Sequence, residues 1–329
     1  MLIISWSLLA LISLISMLIS QLIVIRGTHP LESILIGVLI GAVIRNLDFL
    51  PSKWEPYLKK FETPLLWGII LLGSGFTLEI AKAESFSLIV ILVTMSVGFF
   101  FVFFLGKVMG LSLKLSILLG VGTTICGGTA IAISAPLIEA EKEEVSYAVT
   151  TIVIAAFFLL LGLPYLGKLF DMSQVSFGVW AGTSVHNTPQ TIGTGYAYGE
   201  ISGQVATMVK LTRNMFMVLV AVLMAFWYRS KGAAKRRLEK KEILKAFPWF
   251  LFGYLGMALL RFFGFFTPQG VSYFNSAAKF LILMGMVGIG FGTDFRAIIK
   301  LGYKPLLVGI LGAAAITLVS FVMVVFVKG

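Results

Sequence analysis

Gly182-Thr183-Ser184-Val185-His186-Asn187-Thr188-Pro189-Gln190 is a polar, helix-breaking run in the middle of an otherwise apolar stretch, 174–199. A second run, Gly122-Thr123-Thr124-Ile125-Cys126-Gly127-Gly128-Thr129, interrupts 112–138 in the same way. Each begins about ten residues into its segment, which at ~1.5 Å per residue is about 15 Å deep. That is the middle of a hydrocarbon layer ~30 Å thick. Unpaired backbone is tolerated at that depth only where protein or a water-lined cavity satisfies it. Proline favours the first helical position and threonine the cap before it, so Thr188-Pro189 predicts the start of a second half-helix. Gly127-Gly128-Thr129 allows the same unwinding. Each restarted helix would aim free N–H groups and a positive dipole end at the membrane centre, where an anion is favoured. Glycines also serve close helix packing, but two breaks at one depth favour a site.

The surrounding sequence establishes the solvent. The 329 residues are 58% hydrophobic and only 12% charged, with mean hydropathy +0.99, against about 25% charged residues in soluble domains. A soluble enzyme, a disordered chain and a nucleic-acid-binding domain are excluded. With Cys126 as the single cysteine there is no disulfide framework. Eleven apolar segments are candidates for membrane spans: 2–25, 32–47, 63–80, 86–108, 112–138, 146–168, 174–199, 204–228, 247–265, 276–293 and 304–327. The first runs on to Arg26 with no basic residue before it and no small-residue cleavage site, so it reads as a span rather than a signal peptide. The predicted fold is all-α: a polytopic membrane protein of about eleven transmembrane helices, forming one transporter domain over 1–329.

Short cytoplasmic loops collect Lys and Arg. With the N-terminus cytoplasmic and the C-terminus outside, the inner loops hold eighteen of them, eight in the basic loop 229–246. The outer loops hold five: Arg26, Lys82, Lys142, Arg261 and Lys328. This assigns the chain to the cell membrane in that orientation. The net charge of +11 then reflects a loop lying against anionic headgroups rather than a nucleic-acid partner. Glu139, Glu141, Glu143 and Glu144 read as a solvated outer turn.

The eighth segment carries Lys210 and Arg213, roughly 9 and 13 Å from its outer end at ~1.5 Å per residue. They share a helix face with Thr207 and Asn214. Cations at such depth face a cavity or a partner, whereas Lys279, near an outer end, can snorkel to the surface. No carboxylate is expected near the midplane; Glu79 and Asp294 come closest, at span ends. Two buried cations and two helix N-termini make a positive site whose ligand is an anion. His186 is either a proton-coupling group, its ordinary pKa being ~6.5, or a neutral hydrogen-bonder in the broken segment. Cys126 reads as a small packing residue. No two-histidine metal motif and no nucleophile–base pair stands out, so no catalysis, cofactor or metal is expected.

Two internal echoes are visible. Leu72-Gly73-Ser74-Gly75-Phe76-Thr77 resembles Val287-Gly288-Ile289-Gly290-Phe291-Gly292, in segments running in opposite directions, as an inverted repeat would. Gly122-Thr123-Thr124-Ile125 pairs with Gly182-Thr183-Ser184-Val185, but those two spans would run the same way, which inverted symmetry cannot relate. A five-plus-five repeat after a peripheral first helix fits the helix count.

Several motifs together are specific. C-G-G-T-A-I-A (126–132), E-E-V-S-Y-A-V (143–149), G-T-S-V-H with Gln190, V-K-L-T-R (209–213) and G-F-G-T-D-F-R (290–296) with Lys304-Pro305-Leu306-Leu307 resemble the YeiH-type sulfate-exporter family across nearly the whole chain. That family is similar to the bile-acid/sodium symporter and cation–proton antiporter group. The resemblance implies a mobile core with crossed, broken helices moving against a panel. It departs from the family pattern after His186: Asn187 stands where an acid is usual, and Pro189 where alanine is.

The expectation is a secondary transporter of a small anion, sulfate or an organosulfonate leading. Lys210 and Arg213 would neutralise its charge. Thr123, Thr124, Thr129, Ser184, Asn187 and Thr188 would donate hydrogen bonds, and His186 and Gln190 would orient it or carry a coupled proton. H+ and Na+ both stay open as coupling ions, and a homodimer is compatible with the reading. The rivals are a sodium-coupled carboxylate symporter on the same fold, and a passive channel or membrane-embedded enzyme.

Overall fold

The computed structural model describes residues 2–23, 32–47, 49, 62–230, 249–296 and 302–328. Within them lie thirteen α-helices and no strand. They are α1 (Leu2–Leu22), α2 (Ser33–Asn46), α3 (Glu62–Leu72), α4 (Leu78–Val108), α5 (Leu113–Thr124), α6 (Gly128–Leu137) and α7 (Lys142–Leu169). After these come α8 (Gln174–Ser184), α9 (Thr188–Tyr198), α10 (Glu200–Ser230), α11 (Phe250–Phe262), α12 (Pro268–Gly292) and α13 (Tyr303–Lys328). Every apolar segment expected from the sequence is helical. Six of the described helices are long and apolar enough to cross a membrane: Ile4–Leu22, Phe86–Val108, Lys142–Leu169, Glu200–Met224, Pro268–Gly292 and Tyr303–Phe326. Large apolar side chains such as Leu18, Phe104 and Leu318 face outward, as a lipid-solvated surface requires.

The helices sort into two packed groups. In one, α12 lies against α2 and α3, with α1 and α11 outside them. The α2–α12 contact is nearly backbone to backbone, since a Cβ on Gly290 would collide with the Val38 carbonyl. In the other, α4, α5, α7, α8, α10 and α13 surround the shorter α6 and α9. α9 joins the groups by packing on α12 and α2, where Gly193 receives Met286.

The two interrupted segments fold differently from the straight passes expected. Lys114 Nζ, in the first turn of α5, donates to the Glu139 carbonyl just beyond α6, at 2.6 Å. Ser112 Oγ, before α5, donates to the Glu144 carboxylate at the start of α7. Both ends of the α5–α6 pair therefore lie on one face. The chain reverses at Gly127, whose φ of +68° and ψ of −122° suit a residue without a Cβ. The α8–α9 pair is a second hairpin, entering from the opposite face. Gln174 Oε1 accepts from Ile201 N at 3.0 Å, and the Tyr198 hydroxyl donates to the Met172 carbonyl.

Each arm of 10–12 residues reaches only ~15–18 Å, so each hairpin turns near mid-depth. Lys142 and Lys168 consequently exchange faces relative to the expectation. The expected count of eighteen to five basic residues is unaltered by this exchange, because one lysine replaces the other; many of the rest lie outside the described residues. The face that carries 109–112 and 138–141 is called the basic face below. Most of the basic loop, from residue 231 on, and the side chain of Glu79 lie outside the described residues.

Candidate functional site

The hairpin tips, 125–127 and 185–187, meet at the centre of the second helix group. A Cβ on Gly127 would touch Asn187 Cα at 3.5 Å. At a tip the first arm ends in carbonyls with no helical partner and the second begins with free N–H groups. The two sets point to different places.

The carbonyls point at α10. Lys210 Nζ donates to Ile125 O at 2.8 Å, Val185 O at 2.9 Å and His186 O at 2.7 Å, which uses all three of its protons. Arg213 donates from Nε to Thr124 O at 2.6 Å, from Nη2 to Thr123 O at 2.7 Å and from Nη1 to Thr183 O at 2.6 Å, with Gly182 O at 3.4 Å. Both side chains are fully buried. Cations are favoured at helix C-termini, and here two of them tie the broken ends of α5 and α8 into one block. The sequence expectation gave these cations to a ligand directly; the structure gives their donors to backbone carbonyls. Their charge still reaches the tips from behind.

Residues at the N-terminal ends of α6 and α9 line a cavity of about 470 Å³ between the two helix groups on the basic-face side. It is lined by Gly128, Thr129 and Ala132 of α6, Val149 and Val153 of α7, Asn187, Ile289 and Gly292 of α12, and Glu62 at the start of α3. Two of the ten expected binding residues, Thr129 and Asn187, line it directly. Asn187 is the N-cap of α9 but makes no side-chain cap bond, which leaves its amide to the cavity. Gln190 lies just behind, with Nε2 on Val153 O at 3.2 Å and Oε1 buried without a partner.

The remaining expected donors have other positions. Thr123 and Thr124 hydroxyls return to Leu119 O at 2.5 Å and Gly120 O at 2.8 Å. Thr188 Oγ1 accepts from Asn214 Nδ2 at 3.1 Å. Ser184 Oγ and both His186 ring nitrogens are buried without a hydrogen bond of normal geometry. Glu62 is the residue the sequence reading missed. It opens α3 one position before the apolar segment 63–80, so hydropathy places it outside the span.

Toward the opposite face the two groups close on each other. Gln204 of α10 and Asn275 of α12 converge on Gly75, within 3.0 Å of where its Cβ would stand. The gap among Leu72, Gly75, Phe76, Gln204, Thr207 and Tyr254 has no room for water. At its rim Lys279 does not snorkel free but pairs with Glu200 at 2.9 Å. Asp294, at the other end of α12, pairs with Arg45 at 3.2 Å.

The family described as conserved hypothetical protein 698 matches residues 5–309. A UPF0324 membrane protein of Clostridium tetani is 31% identical, over 95% of this chain and 94% of its own. One from Fusobacterium nucleatum is 33% identical over 88% of each chain. One from Bacillus cereus is 30% identical over 88% of this chain and 83% of its own.

Proposed function

The chain belongs to the conserved hypothetical protein 698 family, the UPF0324 membrane proteins, which is the YeiH-type family its motifs resemble, and from that premise we propose that it is a secondary transporter of a small anion, with sulfate or an organosulfonate favoured. The observation that carries this reading is the pair of half-helix N-termini, at Gly128 and Thr188, opening onto one cavity. Lys210 and Arg213 stand behind them. A positive field aimed into a confined space in a low-dielectric layer selects anions. Gly128 N–H, Thr129 and Asn187 supply donors to the ligand. Lys210 and Arg213 supply charge without contact, and His186 and Gln190 support the tip from behind.

Alternating access follows from the same arrangement. The cavity lies between the two helix groups and is open to the basic face, while the Gln204–Asn275 layer is shut. Movement of the hairpin-bearing group against the α1–α2–α3–α11–α12 panel would open the shut side and close the cavity. In this reading the chain crosses the membrane nine times and carries two re-entrant hairpins, with the basic face cytoplasmic. Residues 113–169 and 174–230 form an inverted repeat of hairpin plus long helix. The echo of Gly122-Thr123-Thr124-Ile125 in Gly182-Thr183-Ser184-Val185 is then the symmetry of two tips entered from opposite faces.

The test is thermal stability of the detergent-purified protein against a panel of anions, with and without sodium. A ligand that binds only the folded state stabilises it by about 2.7 kcal/mol at a hundredfold excess over Kd. A sulfate- or sulfonate-specific rise in melting temperature supports the reading. A rise only with carboxylates and sodium moves it to a sodium-coupled symporter, and no rise with any anion removes it.

A further inference from the structure

The cavity is not uniformly suited to an anion. Among the described residues its lining holds one charged side chain, Glu62, at the wall formed by α3. The other lining residues are Gly128, Thr129, Ala132, Val149, Val153, Asn187, Ile289 and Gly292. A volume of about 470 Å³ equals a sphere roughly 10 Å across, about one Debye length at physiological salt. An anion inside it therefore lies within about one Debye length of the exposed Glu62 carboxylate, so the two charges are only partly screened, and less so once the cavity closes and water leaves. A second negative charge in one confined site is strongly disfavoured, and the relief available to a carboxylate is to take up a proton.

We propose that Glu62 makes anion binding proton-linked: its carboxylate takes up one proton for each anion bound at the hairpin tips. The inference rests on the anion-site reading above and adds a proton linkage to it. Without an anion, the ionised Glu62 shares the cavity with the N-terminal residues Gly128, Thr129 and Asn187. When the anion arrives at these residues, the proton neutralises the carboxylate. Glu62 stands on α3 of the panel, so the proton is held at the wall that the hairpins move along and is released there when the anion leaves.

Among the described residues, the charged groups nearest the cavity other than Glu62 are placed elsewhere or already paired. α6 and α9 carry no charged residue along their lengths. On α12, Lys279 lies about halfway along the helix, roughly 20 Å from Gly292 at ~1.5 Å per residue, and is paired with Glu200. Beyond Gly292, Asp294 is held by Arg45, and Arg296 donates to the Asn46 carbonyl at 3.1 Å. On α7, Glu143 and Glu144 lie in the first turn, Glu144 bound to the Glu141 backbone N–H at 2.9 Å and to Ser112. Arg261 lies in the last turn of α11, at the opposite face. Lys59 and Lys60 precede Glu62 in sequence, outside the described residues.

The experiment titrates the full-length purified protein with sulfate across a pH series and follows proton uptake with a soluble indicator in weak buffer. Sulfate remains a dianion throughout, so any proton taken up belongs to the protein. The wild type is expected to lose affinity by about tenfold per pH unit on the alkaline limb and to take up one proton per sulfate. Glu62→Gln is expected to bind sulfate without pH dependence or proton uptake. Sulfate binding by the wild type with neither pH dependence nor proton uptake overturns the proposal and leaves the anion site standing. A wild-type pH slope retained in Glu62→Gln also overturns it. Should Glu62→Gln fail to fold, Glu62→Asp keeps the titratable group and the same proton count is required of it. Absence of sulfate and methanesulfonate binding at every pH overturns the anion site itself, and the proposal with it.

Discussion

Ile125 and Val185 present their carbonyl oxygens to the same ammonium group, Lys210 Nζ, at 2.8 and 2.9 Å. They occupy the same place in the two echoing segments, and one turn further along α10 Arg213 joins the matching pair Thr123 and Thr183. Two helix ends that enter from opposite faces are thus tied at one point by cations on a third helix. A fully buried cation with only carbonyl partners is costly unless every donor is met, and here the partners are the orphan carbonyls of the tips. Charge and orphan groups satisfy each other.

Lys210→Met is therefore expected to destabilise the protein in the absence of any anion. It leaves three buried carbonyls without a donor, at about 1–3 kcal/mol each before relaxation. Arg213→Lys is expected to do the same more weakly, because one ammonium cannot span the fork of acceptors. Melting of the ligand-free protein checks this. An unchanged or higher melting temperature in Lys210→Met would show that the lysine is held for a ligand instead.

Adjacent glycines separate fold from site. Gly127 has a φ of +68°, so Gly127→Ala is expected to cost about 1–3 kcal/mol as backbone strain and to lower the melting temperature. Gly128 has open space, with only Val149 Cγ1 at 3.9 Å from a built Cβ. Gly128→Ala should therefore fold normally while setting a methyl group where the anion meets the α6 N-terminus. Its anion affinity is expected to fall at least tenfold, about 1.4 kcal/mol, as is that of Asn187→Ala. Calorimetric titration with sulfate reads both; full affinity in both variants moves the site away from the tips.

The sequence made the helices, the two breaks and the buried cations legible, because each is written in residue types. It left the hairpins hidden for physical reasons. Two arms of 12 and 10 residues add up to one membrane thickness, so hydropathy cannot tell a return from a crossing. The basic-residue count is equally blind, since refolding both segments only exchanges Lys142 for Lys168. The Gly122–Ile125 and Gly182–Val185 echo did carry the signal: it is incompatible with inverted symmetry between parallel passes and natural between opposed hairpins. The partners of Lys210 and Arg213 were illegible because they are backbone carbonyls, which every residue has.

At the shut side of the cavity, Glu200 of α10 and Lys279 of α12 bridge the two helix groups at 2.9 Å. The side chains are 50% and 42% exposed, so the pair is worth about 1 kcal/mol or less. Glu200→Gln should shift the balance between open faces by up to about fivefold. The readout is maleimide labelling of Asn275→Cys in a Cys126→Ser background, with faster labelling expected when Glu200 is neutralised. Equal rates would make the pair incidental to opening.

The hairpins themselves are tested by which face each loop occupies. Lys114 and Lys142 flank the α5–α6 pair, and Lys114 reaches the Glu139 carbonyl at 2.6 Å, so cysteines at 114 and 142 must react from the same side of the membrane. Lys168, at the far end of the long α7, must react from the other. In Cys126→Ser cells treated with a membrane-impermeant maleimide, only Lys168→Cys is expected to label before permeabilisation, with the basic face cytoplasmic. The reverse, Lys168→Cys labelling only after permeabilisation along with Lys114→Cys, is what two straight passes demand. That result would dissolve the inverted repeat, because the two opposed hairpins it relates would not exist.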